Sequence, residues 1–324
     1  MGGMRGGRVV ALGEVLVDIF AEDPAREEGG EARAAPRFGG SPANIAVGAA
    51  RFGARSAFLG SAGDDRWGRW LERILRSEGV DLAGFNLLQG VETPSARVMV
   101  SAAGEPSFRF HGDREECVVA AAGRVEEALV GPPGVFVFGS DTLIGKRERG
   151  VTLGAQRLAR ERGWTVLYDP NLRPARWPGE RAMLRAASAA LANATIVKAN
   201  RAEAMALTGT RDAASAGAAM LGAGAAVAII TLGAGGALLS SSGRDPLRVP
   251  APRAEVVDAT GAGDALAAVI AAALAAGADL GDLGRALELA VAVAARVVGA
   301  SGALAGLPSA EAARESLRRV LGSG

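Results

Sequence analysis

The sequence has very little of the residues that form disulfides, metal centres and histidine-based active sites. Its 324 residues include one cysteine, Cys117, and one histidine, His111. A lone cysteine cannot form an internal disulfide or a CxxC metal site, which favours a reducing compartment over secretion. A zinc centre or a Ser/His triad would depend on one residue of each kind, so the composition disfavours both.

The sequence also lacks an excess of either charge and lacks a long hydrophobic run. Lysine plus arginine number 36 and aspartate plus glutamate number 35, for a net charge of +1. Without a run of like charge, a nucleic-acid surface or an anionic-membrane surface is not expected, and the predicted partner is a small molecule. The longest apolar run, 265–276, is too short to span a bilayer and predicts a buried helix. Residues 1–7 make a poor signal peptide, so the predicted location is the cytoplasm.

Hydrophobic residues make up 49% of the chain, enough for a large core, and their pattern indicates an α/β fold. Short apolar runs recur, each followed by an amphipathic stretch, which predicts a doubly wound, mostly parallel sheet covered by helices. The predicted strands are 9–13, 56–61, 135–139, 165–169, 195–198, 227–231 and 255–258. Residues 67–75 have apolar side chains at helical spacing and Gly79 as a stop, which predicts a core helix.

Two stretches interrupt this alternation. Residues 15–38 contain a charged segment, and residues 95–111 have the pattern strand, turn at Ala103 and Gly104, strand. We predict a single domain, 1–324, with a small β lid formed by roughly 15–38 and 93–112.

The most informative segment is 256–270. A predicted strand ends at Asp258, and the glycine turn Thr260 to Gly263 precedes an alanine-rich helix. Glycines allow close approach to a ligand, and free N–H groups at a helix start favour a phosphate. Asp264 would repel that phosphate, so it either caps the helix or takes a proton from an attacking hydroxyl. On spacing alone the cap is favoured.

A second glycine segment runs from Gly39 to Asn44. Ser41 is a candidate N-cap for a helix whose first position is Pro42, with Phe52 and Gly53 at its end. The amide of Asn44 can both donate and accept, and the paired glycines expose backbone to a polyhydroxy ligand. A helix cap and a ligand site are equally compatible with this pattern. A Walker loop and a GxGxxG fingerprint are absent.

Seven segments, in this order, resemble the PfkB, or ribokinase-like, family of carbohydrate kinases. They are GEVLVD (13–18), GGSPANIAVGAARFG (39–53), GDDRWG (63–68), DPNLR (169–173), NRAE (200–203), TLGAGG (231–236) and DATGAGD (258–264). The resemblance implies a doubly wound sheet, a β lid over the sugar, and ATP in a groove near the carboxyl ends of the strands.

The resemblance also implies roles for individual residues. Asp264 becomes the general base, beside a phosphoryl hole formed by the backbone of Gly261, Ala262 and Gly263. The implied sugar-binding residues are Asp18, Gly39, Gly40, Asn44, Arg109, Arg173 and Asp264. The implied nucleotide-binding residues are Asn200, Glu203, Thr231, Gly233, Gly235, Gly236, Gly261 and Gly263.

The implied cofactors are ATP and Mg²⁺. The magnesium would lie at Asn200 and Glu203, directly or through water, whereas a solvated helix face is the alternative interpretation of that pair. A potassium site is implied at Asp258 and Thr260, although Ala300 and Ser301 stand where relatives often have basic residues. A homodimer through the lid strands is an analogy with the family.

The motifs are closest to those of fructokinases. The predicted activity is therefore ATP-dependent phosphorylation of a primary hydroxyl of an unphosphorylated sugar, and fructose is the favoured substrate. A 2-keto-3-deoxygluconate kinase, and a ribokinase or nucleoside kinase, are the alternatives among enzymes. The alternative outside enzymes is a catalytically silent sugar-binding relative.

Overall fold

The structure, a computed structural model, describes residues 7–20, 36–100, 106–281 and 283–322. For residues 20, 97–100 and 106–109 the description covers the backbone only. The strands are β1 Arg8–Leu12, β2 Leu16–Phe20, β3 Pro36–Gly39, β4 Arg55–Gly63, β5 Phe85–Leu88, β6 Ser95–Val100, β7 Pro106–His111, β8 Val135–Gly139, β9 Thr165–Asp169, β10 Ile196–Asn200, β11 Val227–Thr231, β12 Ala237–Ser241 and β13 Leu247–Val249. The helices are α1 Ser41–Arg51, α2 Arg66–Ser77, α3 Arg114–Val119, α4 Val125–Ala128, α5 Lys146–Glu161, α6 Glu180–Leu191, α7 Arg201–Thr208, α8 Ala213–Gly222, α9 Ala262–Ala275, α10 Gly284–Val297 and α11 Ala310–Gly322.

A nine-stranded sheet forms the centre of the molecule. Its order is β13-β12-β11-β10-β9-β8-β1-β4-β5, and the strands from β11 to β5 pair in parallel. β12 and β13 extend it antiparallel, beyond the Gly233–Gly235 turn. The register pairs Gly139 with Asp169 and Asn200 with Thr231, so the carboxyl ends of these strands meet at one edge. In open parallel sheets that edge is where ligands bind.

Alternate residues of the strands pack into two separate cores. Val9 and Val137 face the layer that contains α1, α9 and α10. Val10 and Phe138 face the opposite layer, which contains α5, α6 and α8. Successive side chains of a strand point to opposite faces, and both faces are covered, which explains why the buried residues of these strands are apolar on both faces. The predicted doubly wound α/β fold is confirmed.

A smaller four-stranded sheet is not part of the hydrogen-bonded ladder of the central sheet in the described residues. Its order is β3-β2-β6-β7, in which β2 and β6 are parallel and the outer pairs are antiparallel. These strands come from the two stretches that interrupt the α/β alternation, as the sequence predicts. The predicted turn at Ala103 and Gly104 and residues 21–35 of the predicted lid lie outside the described residues. That the small sheet closes over a ligand stays a prediction.

Two local predictions have different outcomes. The core helix is present as α2, and Gly79 follows its end with a positive φ of 76°. The strand predicted at 255–258 is wrong, because these residues form no strand. Val256 and Val257 are 67% and 62% exposed, so their apolar character does not reflect burial in the sheet. Within the described ranges, no helix combines the length and the apolarity needed to cross a membrane.

Candidate active site

Asp264 lies where the beginnings of α1 and α9 meet. Its carboxylate is 8% exposed and accepts hydrogen bonds from Ser41 Oγ at 2.6 Å and from Asn44 Nδ2 at 2.8 Å. The N-cap of α9 is Gly261 and the N-cap of α1 is Gly40, neither with a side-chain cap. The predictions that Asp264 and Ser41 cap helices are therefore wrong, and both side chains join one buried polar cluster.

The glycine turn before α9 is required by its surroundings. Gly261 has a φ of +81°, and a Cβ there would lie 2.4 Å from Ala303 Cβ. The first N–H groups of a helix have no intrahelical acceptor. The Ala262 N–H makes only a long hydrogen bond of 3.4 Å to the Ala259 backbone oxygen, and the Gly263 N–H has no backbone acceptor in the described residues, so this turn suits an anion beside Asp264. The carboxylate can thus accept a proton, and the glycine turn beside it can bind an anion.

Lys198 is a residue of this site that the sequence analysis missed. Its Nζ is 2.7 Å from Asp169 Oδ2, and both side chains are buried. Burial raises the pKa of Asp169 to about 7 even though Lys198 opposes the shift. A Cβ at Gly263 would lie 2.7 Å from Lys198 Nζ, so the ammonium group adjoins the glycine turn. The available signal was a single lysine between the apolar residues of β10, Ile196, Val197 and Ala199.

Asn200 and Glu203 cap α7 reciprocally. Asn200 Oδ1 accepts the N–H of Glu203, and Glu203 Oε2 accepts the N–H of Asn200. Glu203 Oε1 accepts a third bond, from the N–H of Leu172 at 2.8 Å. Glu203 is 8% exposed, so the alternative of a solvated helix face is wrong for this residue. Each carboxylate oxygen keeps a second lone pair, which suits a metal ion held through water.

Asp18, Gly39 and Gly40 lie together where the small sheet meets the central one. Asp18 is in β2, and a Cβ at Gly39 would lie 2.5 Å from its Oδ2. Gly40 has a φ of +101°, and a Cβ there would lie 2.4 Å from the backbone oxygen of Glu14. Burial raises the pKa of Asp18 to about 6, although Arg173 acts to lower it. Gly39 therefore leaves room for the Asp18 side chain, and Gly40 leaves room for the backbone of Glu14.

Arg173 belongs to a charged cluster at the ends of β8 and β9. Its Nη1 is 3.3 Å from Asp141 Oδ2. Glu14, from the first matched segment, is buried nearby, and burial together with Asp141 raises its pKa to about 7. The Arg176 guanidinium of the same cluster lies 4.2 Å from the centre of the Phe110 ring in β7. Arg109, a predicted sugar contact, precedes Phe110, and its side chain lies outside the described residues.

The predicted nucleotide loop follows β11. Thr231 ends this strand, and Gly233 and Gly235 lie in the turn that leads to β12. Gly236 has a φ of +86°, and a Cβ there would lie 1.9 Å from the backbone oxygen of Val249. The close approach of β13 thus accounts for Gly236 structurally. The nucleotide contacts of these residues stay a prediction.

The predicted potassium loop is held by backbone donors. Asp258 Oδ1 accepts the N–H of Thr260 at 2.9 Å, and Oδ2 accepts the N–H of Gly302 at 2.9 Å. Arg37 Nη1 of β3 is 3.4 Å from the same Oδ2. Burial alone would raise the pKa of Asp258, but these hydrogen bonds outweigh it and hold the pKa below its ordinary value. The loop thereby connects the small sheet to the start of α9, and its cation site stays a prediction.

The chain is similar to known proteins over most of its length. The family model described as pfkB family carbohydrate kinase matches residues 7–310. The chain is 38% identical over 211 residues to fructokinase-1 of Zea mays, a match that spans 64% of this chain and 64% of the maize protein. It therefore spans less than two thirds of that relative's length.

Two solved structures resemble the whole chain. A fructokinase double mutant from Vibrio cholerae O395, bound to fructose, ADP and a potassium ion, has a TM-score of 0.82 and 26% identity, covering 97% of this chain and 99% of that one. Aminoimidazole riboside kinase from Salmonella enterica, complexed with aminoimidazole riboside and an ATP analogue, has a TM-score of 0.79 and 28% identity, covering 96% and 100%.

Proposed function

Because this chain belongs to the pfkB family of carbohydrate kinases, we propose that it transfers the γ-phosphoryl group of ATP to a primary hydroxyl of a small unphosphorylated sugar, in the first place fructose. The observation that carries the proposal is the buried Asp264 carboxylate, oriented by Ser41 and Asn44 directly beside the glycine turn 261–263. A base and an anion cradle are both needed when an alcohol attacks a phosphate.

In the proposed reaction, Asp264 accepts the proton of the sugar hydroxyl as its oxygen bonds to the γ-phosphorus. The bond from that phosphorus to the bridging oxygen breaks, and ADP leaves. Asp264 then releases the proton to solvent. The N–H groups of Ala262 and Gly263 hold the negative charge of the transferred group, as fixed dipoles that need no reorganisation.

The sugar is proposed to lie between Asp264 and the small sheet. Asn44 and Asp18 are suited to its other hydroxyls, since a carboxylate accepts hydrogen bonds and an amide does both. The Oδ1 of Asn44 is buried and makes no hydrogen bond within the described structure. An unpaired buried acceptor is costly, and a sugar hydroxyl would satisfy it.

A magnesium ion bound near Asn200 and Glu203 would neutralise charge on the ATP phosphates. The fit rests on the spare lone pairs of Glu203 and on Asp169 Oδ1, a buried carboxylate oxygen without a hydrogen-bond partner in the described residues. Oxygen donors of this kind suit Mg²⁺. The chain's own part is to keep these oxygens oriented, through the capping of α7 and the Lys198–Asp169 pair.

Fructose is supported by the maize and Vibrio fructokinases and by the absence of a lysine in the segment Gly39–Asn44. A riboside is the second candidate acceptor, supported by the likeness to the Salmonella riboside kinase. The proposed cytoplasmic location, the use of potassium, the absence of nucleic-acid and membrane partners, and dimer formation through the small sheet carry over from the sequence as proposals.

The test is a coupled ADP-release assay over neutral hexoses, pentoses, ribosides and 2-keto-3-deoxygluconate, with ATP and Mg²⁺. We expect the highest kcat/KM with fructose. If the protein phosphorylates only the keto acid, and Arg173→Ala abolishes that activity, the assignment of fructose as the substrate is wrong and the kinase function still stands. The absence of ADP release with every acceptor would support the silent sugar-binding relative.

A further inference from the structure

Asp141 collects three arginines at one oxygen. It follows β8, is 4% exposed, and its Oδ2 is 2.7 Å from Arg176 Nη1, 3.3 Å from Arg173 Nη1 and 3.4 Å from Arg114 Nη1. One carboxylate oxygen thus pairs with three guanidinium groups and offsets part of their positive charge.

Of these arginines, Arg173 is the one that reaches the candidate sugar site. Its side chain is 38% exposed, against 6% for Arg176 and 14% for Arg114. It lies near enough to Asp18 to act on the pKa of that carboxyl, and Asp264 acts in turn on the pKa of Arg173. Arg173 is therefore within electrostatic reach of the two carboxylates between which the sugar is proposed to bind.

The guanidinium group of Arg173 is nevertheless already partly engaged. Its Nη1 is directed at Asp141 Oδ2 and at the backbone oxygen of Asn171, both at 3.3 Å. An acceptor that carries a carboxylate needs an arginine whose charge is not already balanced, whereas a neutral sugar needs only donors and acceptors. The charge of Asp141 would also repel an acidic acceptor.

We propose that Asp141 determines the acceptor preference of this enzyme: by pairing with Arg173, it makes the site favour an uncharged sugar over a sugar acid. The inference rests on the proposed kinase function and adds a specificity residue to it. Asp141 acts through Arg173 and is thus a positioning residue.

The experiment measures kcat/KM for fructose and for 2-keto-3-deoxygluconate in wild type, Asp141→Asn and Glu148→Gln at pH 8. Glu148 is the matched control, because it is a buried acid of the same cluster whose Oε1 accepts from the Gly145 N–H, and no contact joins it to Arg173 in the described structure. Its pKa is raised to about 7, so at pH 8 both substitutions remove a negative charge.

We expect Asp141→Asn to raise the acid-to-fructose ratio of kcat/KM by about tenfold or more, since one uncompensated charge a few ångströms away has at least this effect at protein dielectric. Glu148→Gln should leave the ratio within about threefold. The double variant Asp141→Asn with Arg173→Gln should lose the gain, and the charge-preserving Asp141→Glu should keep the wild-type ratio.

An unchanged ratio in Asp141→Asn, or a gain that persists without Arg173, would overturn the proposal. If Asp141→Asn does not fold, Asp141→Ser removes the same charge with a smaller side chain and is read in the same way. If neither folds, a wild-type enzyme that prefers the acid over fructose overturns the proposal, as does a selective loss of acid turnover in Arg173→Gln, because the arginine would then be available to the acid. A wild-type enzyme that prefers fructose, with an acid turnover that Arg173→Gln does not lower, supports it. Failure of the kinase function itself looks different, because wild type would then release no ADP with either compound.

Discussion

Asp264→Asn separates the chemistry of this site from its structure. The change keeps the shape of the side chain and removes the proton acceptor. In the structure the carboxylate accepts from Ser41 at 2.6 Å and from Asn44 at 2.8 Å. An asparagine oxygen can still accept from Asn44, and its amide can donate to the Ser41 hydroxyl, which rotates.

The two effects of this substitution differ in size. Two charge-assisted hydrogen bonds become neutral ones, which lowers the free energy of unfolding by about 2 kcal/mol in total and Tm by a few degrees. Loss of a general base lowers kcat about 10²-fold to 10⁴-fold, which corresponds to about 3 to 5 kcal/mol of activation free energy.

The assay is ADP release at saturating ATP and sugar, together with ATP affinity from a binding titration and Tm from thermal unfolding. We expect kcat to fall at least about a hundredfold with ATP affinity little changed. Ser41→Ala is the control, because it removes one hydrogen bond from Asp264 and leaves the carboxylate, so it should keep kcat within about tenfold of wild type. A kcat for Asp264→Asn within about tenfold of wild type would refute the assignment of the base.

Three further results are expected. Glu203→Gln should raise the magnesium concentration needed for half activity, because a charge beside the ATP phosphates is lost. Replacing residues 101–105 between β6 and β7 by Asn-Gly, a turn that suits a two-residue hairpin, should raise ATP hydrolysis relative to sugar phosphorylation if the small sheet excludes water. Burial raises the pKa of Glu148 from 4.5 to about 7, so the free energy of unfolding of wild type, relative to Glu148→Gln, should fall by about 3 kcal/mol between pH 4.5 and 7.

Each of these results has an outcome that contradicts it. The magnesium assignment is wrong if the titration of Glu203→Gln superimposes on that of wild type while Tm changes, since only capping of α7 would then be affected. An unchanged ratio of hydrolysis to transfer contradicts shielding by the small sheet. For Glu148 the sign is decisive: its pKa is higher in the folded state, so stability is present below pH 4.5 and is lost as pH rises to about 7. Parallel pH curves for wild type and Glu148→Gln would contradict that shift.

Sequence patterns predicted the layers of the fold, because strands that are covered on both faces consist mainly of apolar residues. β8 is apolar throughout, β1 and β11 are apolar except for the terminal residues Arg8 and Thr231, and alternate residues of these strands fill two cores. The same criterion failed at 255–258, where Val256 and Val257 are apolar and exposed. Hydrophobicity records a tendency to be buried, and only the tertiary structure decides whether a partner surface exists.

The sequence also indicated where glycine is required, because that requirement comes from the local backbone conformation. Gly40 and Gly261 have positive φ and no space for a Cβ, and both stand in motifs that the sequence singled out. What surrounds them was not predictable, since Ser41 was expected to cap α1 and instead donates to a residue 223 positions away.

The charged pairs of the site were decided by tertiary structure alone. Lys198 meets Asp169 across neighbouring strands, and Asp141 meets Arg173 across the ends of β8 and β9. Spacing along the sequence predicts which side chains meet within one helix or one hairpin. Contacts between distant segments depend instead on the order and register of the strands in the sheet. The sequence by itself determined which residue types line the carboxyl edge of the sheet, and the folded sheet decided which of them touch, because contact there is set by strand order and not by distance along the chain.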